Sequence, residues 1–406
     1  MGLLTLLSAC AQAQPLPEGA SGWRLGLEQH LMRESNALYR SGTAGERADS
    51  ASTSALDGAL AVSAGRQQAA AWLRLERTRY ETLSELDHEA YRARAHWNWD
   101  TVTDLSVRTR WQRQRDVIES DLRVDPLSGR RREQTVEQSA LELRWGGARP
   151  WGLMGRWQRD RVEEPPTAFS VPGFAQTTSG LSLQFRPRAA WDAAIGWRTV
   201  RGVREETTAS PPSRFDQSLW DTQLRWQSRP GDLLMLSAAA GHGGGQRLRS
   251  VHADLRWQAT GRLSTALRWW RDEGQQARVW TPLQDLGSLS TVGAADSTVA
   301  AWTLQWDLAP RWSLGLLAQR TERSWFRELS LGTDGSSSGD ALRVGLRDRV
   351  DRLGLQLNGS LARGWGLSCG LRWEDRRDRD AVGGSSAWSY RNRVVDCSLR
   401  WGVPPR

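Results

Sequence analysis

Apolar side chains along this chain recur at every second position, not at the spacing of three to four residues that marks a helix. The pattern is clearest near residue 370. There Trp365, Leu367, Cys369, Leu371 and Trp373 alternate with Gly366, Ser368, Gly370 and Arg372, and further on Val395, Cys397, Leu399 and Trp401 alternate with Asp396, Ser398 and Arg400. Each run predicts a half-buried strand. Facing residues of an antiparallel pair have indices of constant sum. Setting Trp365 opposite Trp401 therefore also sets Leu367 opposite Leu399, Cys369 opposite Cys397 and Leu371 opposite Val395. The fold-back then centres on Gly383, within Val382-Gly383-Gly384-Ser385-Ser386, a turn composition. One face of this hairpin is apolar with Trp at its ends and the other is small or charged, as in a transmembrane β-barrel. A strand of a soluble sandwich can alternate in the same way, so one hairpin leaves both readings open.

The rest of the chain repeats the unit. Leu141-Glu142-Leu143-Arg144-Trp145 leads to Trp151-Gly152-Leu153, Leu181-Ser182-Leu183-Gln184-Phe185 to Trp191, Ala253-Asp254-Leu255-Arg256-Trp257 to Leu263, and Leu304-Gln305-Trp306 to Trp312-Ser313-Leu314. Between these tight turns lie longer polar segments near 34–55, 81–88, 118–133, 164–175, 204–215, 243–248, 276–295, 327–339 and 377–389. Alternating short turns and long loops predict an all-β, antiparallel up-and-down transmembrane barrel of about eighteen strands, of the bacterial outer-membrane type. The glycine-rich run Gly241 to Gly245 reads as a loop. Proline cannot serve a central ladder, and Pro126, Pro150, Pro165, Pro166, Pro172, Pro187, Pro211, Pro212, Pro230, Pro282 and Pro310 all fall in predicted turns or loops. Alternation changes parity between Leu346 and Leu353, which a bulge there would explain. No linker divides the chain. The organisation predicted is a signal peptide over 1–13, a short periplasmic lead-in over 14–21, the barrel over 22–401 and a tail over 402–406.

Composition strengthens the membrane reading. The 406 residues include 24 Trp against only 4 Tyr and 5 Phe, with a mean hydropathy of −0.58. Trp gathers at membrane interfaces and is seldom the main apolar residue of a soluble core. No apolar run reaches the roughly 18 residues of a membrane-spanning helix. The first residues, Met1 to Gln14, contain a short apolar core and the small-x-small pattern Ala11-Gln12-Ala13, an export signal. Leu7-Ser8-Ala9-Cys10 also has the form of a lipoprotein cleavage box, with Cys10 as the residue that would carry lipid. Removal of the leader leaves Cys369 and Cys397 as a pair compatible with an oxidising compartment. Two readings of that pair stand: a disulfide across one rung, or two small apolar residues facing lipid.

The net charge of +9 comes from Arg alone, since the chain has no Lys. Arg is spread evenly and the aromatic and glycine motifs of RNA-binding modules are missing, which argues against nucleic acid as a partner. With Leu, Val and Trp outward, the inward set includes Arg74, Glu76, His96, Asp221, Asp254, Asp307 and Arg372. The candidate lumen-lining arginines are Arg92, Arg94, Arg108, Arg110, Arg144, Arg156, Arg186, Arg198, Arg225, Arg256 and Arg268. Rings of Arg favour anionic solutes. Equally, Arg and carboxylates on neighbouring strands can pair and simply fill the lumen. Catalysis has little support: His30, His88, His96, His242 and His252 are scattered, with no Ser or Asp at a telling spacing. No Cys or His pair has metal-ligand spacing and no cofactor motif is present.

Glu34-Ser35-Asn36-Ala37-Leu38-Tyr39-Arg40, followed by Leu86-Asp87-His88 leading through Tyr91 to Trp97-Asn98-Trp99, resembles the EpsL-type family of outer-membrane barrels encoded in exopolysaccharide operons. The closing hairpin with one Cys per strand is similar to theirs as well. The resemblance implies a role in exopolysaccharide production or export, with outer-membrane lipid, the exopolysaccharide and other polysaccharide secretion proteins as partners. From the residues alone two other functions follow as well: a general porin for small, preferentially anionic solutes, and a non-conducting barrel that organises envelope partners.

Overall fold

Within lipid every backbone N–H and C=O must find its partner inside the protein, so a strand can cross only as part of a closed sheet. The computed structural model is such a sheet, eighteen antiparallel strands in sequential order with the first joined to the last. It describes residues 21–38, 47–117, 133–147, 149–163, 173–188, 190–204, 213–229, 231–243, 246–273, 294–329, 342–362, 364–378 and 389–403. The leader, the lead-in up to residue 20 and the fold-back at Gly383 lie outside the described residues.

The strands are β1 (Gly22–Glu34), β2 (Asp49–Ala64), β3 (Gln67–Tyr80), β4 (His88–Asp100), β5 (Leu105–Val117), β6 (Glu133–Trp145), β7 (Trp151–Glu163), β8 (Phe174–Arg188) and β9 (Trp191–Arg204). They continue with β10 (Ser213–Trp226), β11 (Leu233–Gly243), β12 (Gln246–Thr260), β13 (Leu263–Glu273), β14 (Ala294–Ala309), β15 (Trp312–Leu329), β16 (Leu342–Ala362), β17 (Trp365–Asp378) and β18 (Tyr390–Val403). β1 pairs with β2 along one edge and with β18 along the other, from Leu25↔Val403 to Glu34↔Val394. No edge is left open. β1 starts and β18 ends at the end of the barrel that carries the short turns.

Outward positions carry the apolar side chains that in a soluble protein would be inside. Leu27, Leu75, Leu181, Leu255, Leu355 and Leu399 are all exposed. Trp marks both borders of this belt: Trp23, Trp145, Trp151, Trp257 and Trp365 at the short-turn end, Trp111, Trp157, Trp220, Trp269 and Trp373 towards the other. At the first border Trp151 rests on Phe185 with ring centroids 4.3 Å apart. On β17 the belt runs from Trp365 to Trp373, about 26 Å along the strand, or roughly 20 Å along the axis once the strand is tilted. That matches a thin bilayer core and fixes where the lipid lies.

Several sequence expectations need correction. β2 begins at Asp49, not Leu56, because Asp49 to Ala55 continue the ladder opposite Glu34 to Glu28 although their outward residues are Ser50, Ser52 and Ser54. Alternating serines carry no apolar period, so only the neighbouring strand reveals this segment. β16 has no bulge between Leu346 and Leu353: its pairing with β15 is unbroken from Leu342 to Gly359. The parity change arises because beyond Leu353 the outward positions leave the belt and become Asp351, Arg349 and Arg347. The register shift lies instead between Ser360 and Ala362. Pro187 is not in a turn but at the end of β8, inside the shift between Phe185 and Arg188, where no ladder donor is lost. Gly241 to Gly243 belong to β11, and Gly402 and Val403 to β18.

The closing hairpin pairs Trp365 with Trp401, Leu367 with Leu399, Cys369 with Cys397 and Leu371 with Val395. Cys369 and Cys397 are joined as a disulfide on the outward face, with Cα atoms 4.1 Å apart. A bond closing 28 residues removes unfolded-state freedom equivalent to about 3.5 kcal/mol.

Two measurements check these assignments. Leu255→Arg, which sets a charge in the belt at a cost of about 2–4 kcal/mol, should sharply reduce the fraction that migrates as a folded barrel on unheated gels. Arg256→Leu should not, because Asp254 keeps Arg268 as its partner; equal losses would mean the two faces are interchanged. Alkylation of unreduced protein followed by mass spectrometry should find neither Cys369 nor Cys397 labelled, and labelling of both would rule out the rung.

Candidate functional site

The inward face is the natural place to look for function, since strand alternation delivers to it every side chain that lipid would not accept. All the arginines named as lumen candidates stand on the inward parity of their strands, and the structure gives them different surroundings.

Around β1 to β5 charges alternate in an unbroken chain. Arg74 Nη1 donates to Glu28 at 2.8 Å and its Nε to Glu76, while Arg92 reaches Asp116 at 2.9 Å and lies 4.0 Å from Glu76. The Glu28–Arg74 pair crosses β2, where the inward residue between them is the small, buried Ala55. Next to it Asp57 crosses β1 in the other direction to accept from Arg400 of β18 at 2.6 Å. Gly26 makes this crossing possible, since a Cβ there would collide with the Asp57 carboxylate. Arg94 lies over the ring of Trp72, its guanidinium carbon 5.4 Å from the centroid. Trp72 and Trp270 face inward, contrary to the rule that placed every Trp on the lipid side.

On β6 and β7 Glu142 forms an ion pair with Arg144 at 2.6 Å and accepts a hydrogen bond from Arg156 at 3.0 Å. Further along these strands Asp160, fully buried, is held by amides alone: Gln138 at 2.7 Å, Gln158 at 2.9 Å and Gln176 at 2.9 Å all donate to it. Arg186 pairs with Asp192 at 3.1 Å. Arg225 donates to Gln227 at 3.1 Å. Asp254 sits between Arg256 at 3.4 Å and Arg268 at 3.5 Å. Asp348 takes Arg323 at 2.5 Å and Arg376 at 2.8 Å, and Glu374 takes Arg352 at 2.7 Å together with the Tyr390 hydroxyl. Arg108 and Arg110 on β5 are different. Among the described residues neither has a hydrogen-bond or ion-pair partner, and Arg110 is exposed to the lumen. Arg198 also lacks such a partner there but is buried in the wall.

The inward face is not uniformly polar. Val136, Val162 and Phe174 form one buried cluster near the long-connection end, and Val200, Leu219, Ala239 and Leu248 another. A third joins Ala37, Leu38, Ala51, Tyr80, Leu83 and Leu86. Asp49 supports this last one by accepting the backbone N–H groups of Thr82 and Leu83, and Asn36 binds Asn392 of β18. Residues of the two N-terminal segments that carry the family resemblance are thus packing residues of the barrel rim.

Sequence spacing also missed a grouping that pairing creates. Ser250 Oγ lies 2.8 Å from His252 Nε2 and 2.8 Å from Asp272 Oδ1, with His252 Nε2 3.1 Å from the same carboxylate oxygen. A relay needs the carboxylate on one ring nitrogen and the hydroxyl on the other. Here both meet Nε2, and Ser250 is only 3% exposed, so the trio is a wall contact and not a nucleophile. Among the described residues no group of His, Cys, Asp and Glu could hold a metal ion. Strands pack extensively only on their ladder neighbours, and no described element crosses the lumen.

Replacing Glu142 by Gln should remove about 1–3 kcal/mol of stability, because two partly buried guanidinium groups lose their carboxylate. A lower urea midpoint followed by tryptophan fluorescence is the expected result; an unchanged midpoint would mean that lumen water replaces it.

No protein-family model matches the chain, and neither does any curated protein. Solved structures do. A mutant of the ferric enterobactin receptor from Pseudomonas aeruginosa is similar with a TM-score of 0.50 at 8% identity, over 95% of this chain and 81% of that one. OccK2 (OpdF) from Pseudomonas aeruginosa gives 0.47 at 13% identity over 96% and 100%, and the siderophore receptor PirA from the same organism 0.44 at 10% over 97% and 82%. At such identities the likeness concerns the fold alone. Together with the closed ladder, the tryptophan-bordered belt and the charged interior, it establishes a transmembrane β-barrel of the bacterial outer membrane.

Proposed function

We propose that the lumen is a passive route across the outer membrane for anionic solutes. The observation that supports this reading most directly is the pair Arg108 and Arg110. Most lumen charges are neutralised by a neighbour, so the wall as a whole has little field of its own. Arg110 is exposed and has no such partner among the described residues, and Arg108, two residues away on the same strand, shares the single carboxylate of Glu142 with Arg144 and Arg156. Fixed, unneutralised guanidinium groups in a confined aqueous space raise the local concentration of anions and exclude cations. An interior of eighteen strands is wide enough for a water-filled channel.

The resemblance to the exopolysaccharide-operon barrels supports a second reading, in which the anion is an acidic polysaccharide on its way out. The chemistry of the wall would be the same, because a uronate or pyruvylated polymer presents repeated carboxylates. A deletion strain that retains polysaccharide it normally secretes would favour this reading, and unchanged secretion would remove it.

In a planar bilayer with a tenfold KCl gradient the protein should give single-channel steps with a reversal potential on the anion-selective side. Arg108→Glu combined with Arg110→Glu should move that potential towards or past zero while leaving the barrel folded on gels. Steps with cation selectivity in the unmodified protein would overturn the proposal. A folded barrel that gives no steps would overturn it too, leaving a closed barrel that organises envelope partners.

A further inference from the structure

The outward face is not symmetric between its two ends. At the short-turn end it finishes in Trp, and few charged side chains of the described strands stand outward there, Arg188 opposite Trp191 being one. At the long-connection end each strand runs on past the belt, and the outward positions there are dominated by Arg. Some of these arginines pair, as Arg320 does with Asp351 at 2.8 Å and Arg271 with Glu273 at 2.6 Å. Others, including Arg33, Arg77, Arg79, Arg159 and Arg214, have no hydrogen-bond or ion-pair partner among the described residues.

The arrangement is most developed on β7 to β10. Arg159, Thr177, Arg201 and Asp216 lie on one rung, each opposite the next. Two strand spacings separate Arg159 from Arg201, about 10 Å, and the strand between them offers only the small side chains Ala175 and Thr177. The result is a groove of about 570 Å³, with Trp157 at the belt and Arg214 on the far side. Its carboxylate is Asp216, which lies 3.2 Å from Arg201, while Arg159 and Arg214 have no ion-pair partner among the described residues. The same design recurs on β1 to β3, where Ser50 lies opposite Arg33 and Ser52 opposite Arg79.

We infer that this groove holds a phosphate-bearing sugar headgroup of the outer leaflet. Three features select that ligand. The groove starts where the tryptophan border ends, at the depth of a headgroup whose acyl chains lie along the belt. Its volume is in the range of sites for small organic molecules and exceeds what a bare phosphate fills. Guanidinium groups on both sides of a hydroxyl-bearing floor suit the several acceptor oxygens of a phosphate monoester. A phosphorylated saccharolipid satisfies all three, and the surface serves this role whether or not the lumen conducts.

The test uses the full-length protein, folded in detergent, with bound lipid counted by native mass spectrometry. The probes are bisphosphorylated lipid A, the same lipid with both phosphates removed, and inorganic phosphate. Bisphosphorylated lipid A should be retained at least tenfold better than the dephosphorylated form, and an equimolar amount of inorganic phosphate should not displace it. Arg159→Gln with Arg214→Gln should abolish most of that preference, and the corresponding Lys pair should keep part of it. Equal retention of the two lipids by the unmodified protein would overturn the inference. So would displacement by inorganic phosphate, or an undiminished preference in the Gln variant when gels show it folded. Should the Gln variant fail to fold, the comparison of the two lipids on the unmodified protein decides alone.

Discussion

Everything in this molecule depends on the ladder between β1 and β18. A backbone group left unpaired in hydrocarbon costs several kcal/mol, so an eighteen-stranded sheet with two open edges would not remain in the membrane. The seam is held by more than backbone. Asp57 of β2 spans β1 over Gly26 to meet Arg400, His30 lies 3.3 Å from Asp396, and Ser35 and Asn36 bind Asn392. A disulfide one strand further on locks the register of the last hairpin. Contacts between the two ends of the chain are concentrated where closure must be correct.

Closure separates the chain into two chemical surfaces, and the inner one carries the clearest functional signal. Its charges are mostly arranged as local alternations of Arg and carboxylate, which lets a wall of guanidinium groups exist at modest electrostatic cost. Such pairing is structural first. Arg108 and Arg110 stand apart from these pairs, set where the strand opposite them on β6 presents Glu142 and Ala140. Glu142 is shared by Arg108, Arg144 and Arg156, so one carboxylate faces three guanidinium groups.

The outer surface is organised by depth. Leu and Val occupy the middle, Trp the borders, and Arg the region beyond the border at the long-connection end. Each residue type stands where the bilayer offers its complement: acyl chains, the interface, then anionic headgroups. The groove on β7 to β10 is a consequence of this layering combined with a strand of small residues.

The alternation of residues 365–373 and 395–401 already specified two strands and their faces, because a period of two has only one way to keep Trp and Leu together on one side; the register followed only from setting Trp365 opposite Trp401, since a slip by two residues keeps every face. The strand number and the inward parity of the lumen arginines followed from the same period. Where the period was silent the reading failed. Ser50, Ser52 and Ser54 hid the first half of β2, and the passage of β16 out of the belt looked like a bulge. Trp72 and Trp270 broke the outward rule because Trp can also cover a guanidinium group or line a wall. Partners across strands were invisible altogether: Asp57 with Arg400, the Ser250, His252 and Asp272 trio, and the rung from Arg159 to Asp216 are each set by register between strands distant in sequence. Local alternation determined which face each residue takes; only the closed sheet decided which residues meet, because that depends on the stagger of neighbouring strands, which no single strand encodes.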